Sequence, residues 1–479
     1  MSIRTWFRTS RVRHGLAAGA VVLAAGGLVL ARSAAGEQTP AGAIAAVSPG
    51  GANSASFSGP GVHGTFALSH SKVLRGGEQQ VFASLVLKAD PMAEQARERA
   101  PLSIAIVLDT SGSMAGEKLD QAKRSAIQLV RDLRDDDEIA FVRYSSDSEV
   151  LQPLARAGRV RADLITRVQA LSPGGGTNIA PALSQGVLAL ADAGKGRVRR
   201  VILASDGLDG TRAASEEVAR DSAGRGITTS SMGIGLDFDE GYMGAVAQAG
   251  RGNFAFVKDA STLATFLRRE LEETASTTIE SATARIKLPA GVRFVRATGA
   301  DARPLASGAE VELALGSLFA GDERRVIVEL AASLDSDAAR AVEGQVSWSR
   351  VGGDTAQARI AGLALTGSTS VAEVEAGRDL AVLADAMSVI ASRRQIEAAE
   401  AYQQGDVGRA QALIDQNMVE LKTVAAKAPK PAASALQKQV LAYESTKQEF
   451  MSAAPSSTAG KAAAKSAVAS DISNLARRK

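Results

Sequence analysis

The chain has 479 residues, of which 45% are apolar and 22% charged, enough apolar sequence for several cores and more than one domain. It contains no cysteine, which excludes disulfides, thiolate metal sites, a cysteine nucleophile and a lipidated amino-terminal cysteine. The formal charge is +3, but the first 31 residues hold four arginines and no acid, so the remainder carries −1 and nothing in the balance argues for a nucleic-acid partner.

In chain order, Arg4, Arg8, Arg11 and Arg13 precede an unbroken apolar run, Gly15 to Leu30, and then small residues, Ala31 to Gly36. This is the layout of a secretory signal over residues 1–31, with an uncleaved anchor through residues 15–30 as the alternative. Both predict an exported protein, periplasmic or associated with the cell envelope. Residues 32–61, rich in Ala, Gly, Ser and Pro, read as a flexible linker. His63–Leu68 and Gln80–Leu87 then read as strands parted by the turn Arg75-Gly76-Gly77. Two strands bury no core alone. Short alternating or apolar runs that could complete them follow much later, at 283–288, 292–297, 310–315, 325–330, 344–349 and 358–363. The expectation is one β-sandwich built from residues 62–97 and 279–366, with residues 98–277 inserted through it.

The inserted segment alternates apolar strands and amphipathic helices. Strand 103–108 leads to a helix near 118–133, whose Leu119, Ala122, Ala126, Leu129, Val130 and Leu133 share a face. Strand 139–144, a helix near 161–171, a helix at 179–193, strands 198–204, 227–234 and 254–257 and a helix at 261–273 continue the pattern. Such alternation predicts an α/β fold with a doubly wound, mostly parallel, Rossmann-like sheet covered by helices on both faces. Ligands of these sheets bind beyond the carboxyl ends of the strands, where the strand order reverses. Beyond Thr366 helical spacing takes over at 373–394, 395–404 and 407–428, Pro429 and Pro431 interrupt it, and a further helix runs to Phe450, giving a helical region at 371–450. The tail, residues 451–479, is Ala-, Ser- and Lys-rich with Lys461, Lys465, Arg477, Arg478 and Lys479 against Asp471, and is expected to be disordered and basic.

The chemistry concentrates at Asp109-Thr110-Ser111-Gly112-Ser113-Met114, directly after the strand 103–108. In extended backbone alternate residues point to the same side, so Asp109, Ser111 and Ser113 can converge. Hard oxygen ligands of this kind suit Mg²⁺, Mn²⁺ or Ca²⁺. Taken alone, the run also fits a polar turn leaving a strand. Downstream, Pro173-Gly174-Gly175-Gly176-Thr177-Asn178 puts a hydroxyl on a loop at a helix start, and strand 198–204 ends in Ser205-Asp206-Gly207, a second carboxylate at a strand's carboxyl end. This order of motifs resembles the metal-ion-dependent adhesion site of von Willebrand factor type A domains. The flanking strands resemble those of the exported bacterial members of that family and, more distantly, of inter-alpha-trypsin inhibitor heavy chains. The resemblance, over residues 101–276, implies that Asp109, Ser111, Ser113, Thr177 and Asp206 hold a divalent ion, Mg²⁺ or else Mn²⁺ or Ca²⁺, and that a Glu or Asp of a protein partner completes its shell.

An enzyme is the competing class, because a metal held by carboxylates can activate water. The histidines are only His14, His63 and His70, none within residues 98–277, and neither a G-x-S-x-G elbow nor a G-x-x-x-x-G-K-[S/T] loop occurs. Without an acid–base apparatus, the expectation is no catalysis, ahead of a metal-dependent hydrolase. The leading reading is a metal-dependent protein-binding module for adhesion or complex assembly, and the alternative is a metal-stabilised scaffold of an envelope complex. Asp135-Asp136-Asp137-Glu138 reads as a solvated loop, and Asp237-Phe238-Asp239 as an exposed turn.

Overall fold

Leu102–Asp109 is buried at every position, as a continuous apolar run in a sheet covered on both faces must be. The computed structural model describes residues 47–49, 53–91, 100–194, 196–206, 209–236, 238–257, 260–305 and 308–476; the expected leader and the first part of the linker, to residue 46, lie outside these. The central sheet has the order Arg251–Val257, Ile227–Ile234, Val198–Ser205, Leu102–Asp109, Glu138–Tyr144, Ser148–Arg156. All neighbours are parallel except the last pair. Counted along the chain, the first strand lies between the second and the fourth, the arrangement of a doubly wound dinucleotide-fold sheet, and the order reverses beside Asp109.

Side-chain alternation along Leu102–Asp109 feeds two cores. Leu102, Ile104, Ile106 and Leu108 pack with helices α1 (Glu117–Asp132), α2 (Ala157–Gln169) and α6 (Ala260–Ala275). Ala105 and Val107 pack on the other face with α3 (Ile179–Ala189), α4 (Arg212–Gly224) and α5 (Glu240–Ala249). Gly186 lets α3 come close: a Cβ there would lie 2.4 Å from Val107 Cγ2.

Two six-stranded sheets flank this unit, each using strands from before and after it. One runs Val47–Pro49, Ser54–Gly59, Val62–Leu68, Gln79–Ala89, Glu323–Ala332, Val292–Thr298. The pairing of Gln79–Ala89 with Glu323–Ala332 holds one register from Gln79↔Ala332 to Lys88↔Glu323. The other sheet runs Asp301–Pro304, Glu310–Phe319, Thr277–Lys287, Arg340–Arg350, Thr355–Ser368, Lys72–Leu74. Their facing sides share a core in which Phe57, Phe66 and Leu85 meet Ile286, Leu313 and Trp348. Ser54–Gly59 corrects the end of the expected linker: its Ala55 and Phe57 alternate into this core, a pattern that small, uncharged neighbours hid.

The carboxyl-terminal helices are α7 (Val371–Ala376), α8 (Leu380–Gln403), α9 (Val407–Ala425), α10 (Lys430–Ser452) and α11 (Thr458–Ala476). The expected break at 394/395 is absent, since Gln395 is buried within α8. The expected disordered tail is largely α11, with Ala464 and Val468 buried. Ala-rich sequence is a strong helix former, and here it gains a packing partner. Lys465, counted as a solvated tail charge, is 5% exposed and bonds the Phe238 carbonyl and the Glu240 carboxylate of the central unit. Among the described residues no helix is long and apolar enough to cross a membrane.

Two smaller expectations are corrected. Asp137 is fully buried, its carboxylate accepting from the backbone N–H of Leu102 and Arg134, so the acidic run ties the first strand to the loop before the second. In the segment 237–239, Phe238 is buried and Asp239 caps α5 by accepting from Tyr242 N–H; Asp237 lies outside the described residues.

Candidate metal centre

Asp109 ends the first strand of the central unit and Asp206 directly follows the strand beside it, so the two carboxylates emerge on either side of the point where strand order reverses. Both are buried. Between them runs a chain of hydroxyls. Ser111 N–H donates to Asp109 Oδ1 at 2.8 Å, Ser111 Oγ and Ser113 Oγ are 3.0 Å apart, and Ser113 Oγ donates to Asp206 Oδ1 at 2.7 Å. The geometry differs from a continuous extended strand. Ser111 is extended, but Gly112–Met114 is a tight 3₁₀ turn, and this turn brings Ser113 back toward Asp206. Met114, wholly buried among the α1-side residues, anchors the turn.

The loop that carries Thr177 is tied to the same place by backbone. Gly112 N–H donates to the Gly175 carbonyl at 3.0 Å and Gly174 N–H to the Thr110 carbonyl at 2.8 Å, while Thr110 N–H donates to the Tyr144 carbonyl across the sheet. Gly176 N–H donates to Ser146 Oγ at 2.7 Å. Thr177 is half-buried at the start of α3. Of the five expected ligands, Asp109, Ser111, Ser113 and Asp206 thus form one hydrogen-bonded chain, and the loop that carries Thr177 is tied to Thr110 and Gly112 through Gly174 and Gly175.

Three polar residues support this cluster that motif reading passed over. Ser205 Oγ donates to Asp109 Oδ2 at 2.7 Å. Asp209 accepts from Ile179 N–H at 2.5 Å and from Thr211 N–H and Oγ1, holding the start of α3. Lys118, in the first turn of α1, places its ammonium 2.5 Å from Asp206 Oδ2. The signals were present: a serine and an aspartate bracketing Asp206 in sequence, and a lysine at a helix start, where the helix dipole disfavours it.

Burial pushes the Asp109 carboxyl above the usual range, hydrogen bonds from Ser111 and Ser205 pull against that rise, and the neighbouring Asp206 charge adds to it. Among the described residues no three His, Asp or Glu side chains gather into a metal cluster, so a cation here depends on the hydroxyl oxygens as well as the two carboxylates. That donor set is wholly hard oxygen and fits Mg²⁺, Mn²⁺ or Ca²⁺. Ser113 and Gly174 to Gly176 are exposed, so the cluster faces solvent on one side.

The sequence of residues 103–269 matches the family model of the von Willebrand factor type A domain. The uncharacterized protein YfbK of Escherichia coli (strain K12) is 30% identical over 234 residues, 46% of this chain and 40% of that protein. Inter-alpha-trypsin inhibitor heavy chain H2 of Sus scrofa is 27% identical over 191 residues, 37% of this chain and 20% of that one. The chain thus spans less than half the length of these two relatives. The ArnB paralog VWA2 from Sulfolobus acidocaldarius shares the fold at a TM-score of 0.60 and 15% identity, over 87% of this chain and 99% of that one. Sheet order, helix layers and sequence match agree that residues 103–269 form a von Willebrand factor type A domain.

Proposed function

We propose that this chain is a divalent-metal-dependent protein-binding module of the cell envelope, in which Asp109, Ser111, Ser113, Thr177 and Asp206 hold the ion and a carboxylate of the partner completes its shell. Proteins of this family commonly mediate protein–protein interaction. The observation that carries the reading is the chain of oxygens from Asp109 through Ser111 and Ser113 to Asp206, open to solvent at Ser113. Two carboxylates neutralise a divalent cation, and neutral hydroxyls leave it able to attract one more anionic oxygen. The metal would supply that attraction when bound; the protein's part is to orient the donors and keep the floor of the site dry.

Among the described residues, the Ser111, Ser113 and Ser205 groups and the Lys118 ammonium donate to the two carboxylates, and His63 lies in the flanking strand Val62–Leu68. The export signal expected over residues 1–31 supports the envelope assignment. The test is affinity for a captured partner in Mg²⁺, in chelator, and with Thr177→Ala, which deletes one hydroxyl and leaves the charge unchanged. Binding should require the metal and fall with Thr177→Ala. Equal affinity in all three conditions overturns the metal bridge and favours a scaffold held by the sandwich and helices.

A further inference from the structure

Resting on the metal reading above, we propose that Lys118 is a tethered counter-cation of the site: its ammonium holds Asp206 when no metal is bound, and a divalent ion enters by displacing it. Every oxygen of the two carboxylates has a donor within the chain. Asp109 is served by Ser111 N–H and Ser205 Oγ, and Asp206 by Ser113 Oγ and, at 2.5 Å, the Lys118 ammonium. The Asp206 side chain is fully shielded from solvent, and a buried carboxylate without a counter-charge is strongly disfavoured. Lys118 supplies that charge although it sits in the first turn of α1, where the helix dipole opposes a cation.

The surroundings leave the lysine both a place and a way out. Gly235, at φ +83°, closes the loop after Ile227–Ile234 over the lysine stem, and a Cβ at that position would lie 2.9 Å from Lys118 Cε. The Lys118 side chain keeps 28% of its surface exposed, so its flexible stem can swing outward without backbone movement. The hydroxyl chain reaches Asp206 Oδ1 and the ammonium holds Oδ2, so a divalent ion held by Asp206 would be repelled by that ammonium and would gain its full attraction only once the lysine has swung away. Lys118 thereby stabilises the empty site and lowers its affinity for metal, two effects of one contact.

The test uses the full chain stripped with chelator, titrated with MnCl₂ by calorimetry and melted without metal, as parent, Lys118→Met and Lys118→Arg. Lys118→Met should bind Mn²⁺ about tenfold or more tightly, melt at a lower temperature when ion-free, and show a larger rise in Tm on adding metal. Lys118→Arg should stay near the parent in all three readings. Lys118→Gln supplies the same comparison should the Met variant fail to fold. Unchanged Kd and ion-free Tm in the neutral variants overturn the counter-cation role while leaving the metal site standing. Absence of Mn²⁺ binding in parent and variants alike removes the metal reading itself, and this inference with it.

Discussion

Two of the places where the protein buries acidic side chains are built to opposite ends. At the carboxyl edge of the central sheet, Asp109 and Asp206 are met by hydroxyls, one backbone N–H and a half-exposed lysine, on loops that reach solvent. Where α11 meets α5, Glu240 takes the Lys465 ammonium at 2.5 Å and a Gln403 amide, with Lys465 lying 4.4 Å over the Phe238 ring and Ile472 against Gly244. Both members of that pair are less than a tenth exposed. The first cluster opens to solvent, as the proposed exchange of its donors for an ion requires; the second is closed by packing and serves as a lock. Carboxylate burial alone therefore does not mark a binding site: what matters is whether the partners of the carboxylate can leave.

The largest effect should come from breaking the lock. Lys465→Met leaves Glu240 buried without its counter-charge, a change that typically destabilises by about 3–5 kcal/mol. Urea titration should show that loss, and hydrogen exchange should place it in α11 and α5, with metal-induced stabilisation of the central unit preserved. A loss of metal response in the same variant would merge the two regions into one. Next in size, Asp109→Ala or Asp206→Ala should abolish a metal-induced stabilisation that amounts to about 2.7 kcal/mol at a hundredfold excess over Kd. Melting curves with and without Mg²⁺ measure it, and α11 protection should be unaffected.

A smaller effect concerns Asp471 on α11, which accepts from Tyr443 OH at 2.8 Å and whose carboxyl burial pushes up to about 7 from an ordinary 3.8. A raised carboxylate favours the folded state while protonated. Its contribution is fully present below about pH 4 and is lost as pH rises through 7. Asp471→Asn should therefore gain on the parent in urea midpoint as pH goes from 5 to 8. A parent-minus-variant difference that stays constant over that range would show that Asp471 is solvated in solution and that α11 docks more loosely than its packing indicates.

The central unit was legible because its signals are local and mutually consistent. Eight consecutive buried positions from Leu102 to Asp109, the apolar face of α1 and the carboxylates at two strand ends all follow from composition and period. The strand Ser148–Arg156 and helices α4 and α5 were harder to read. The strand is an edge strand with one buried position, and the two helices carry serines, glycines and alanines where longer apolar residues would announce a buried face. The tail was misread for a related reason: alanine and lysine describe a solvated chain until a buried glutamate is known to await the lysine.

Sequence by itself determined the class of the central fold, its place within the chain and the set of hard oxygens at its edge, because each depends on spacing within a few residues. Tertiary structure alone decided how those oxygens meet. The Gly175 carbonyl that receives Gly112 N–H, the bond from Ser113 to Asp206 and the approach of Lys118 to Asp206 join segments far apart in the chain. The docking of α11 on α5 was settled in the same way, by a charge pair 225 residues apart in sequence whose members find each other only after the sheet and helices have packed.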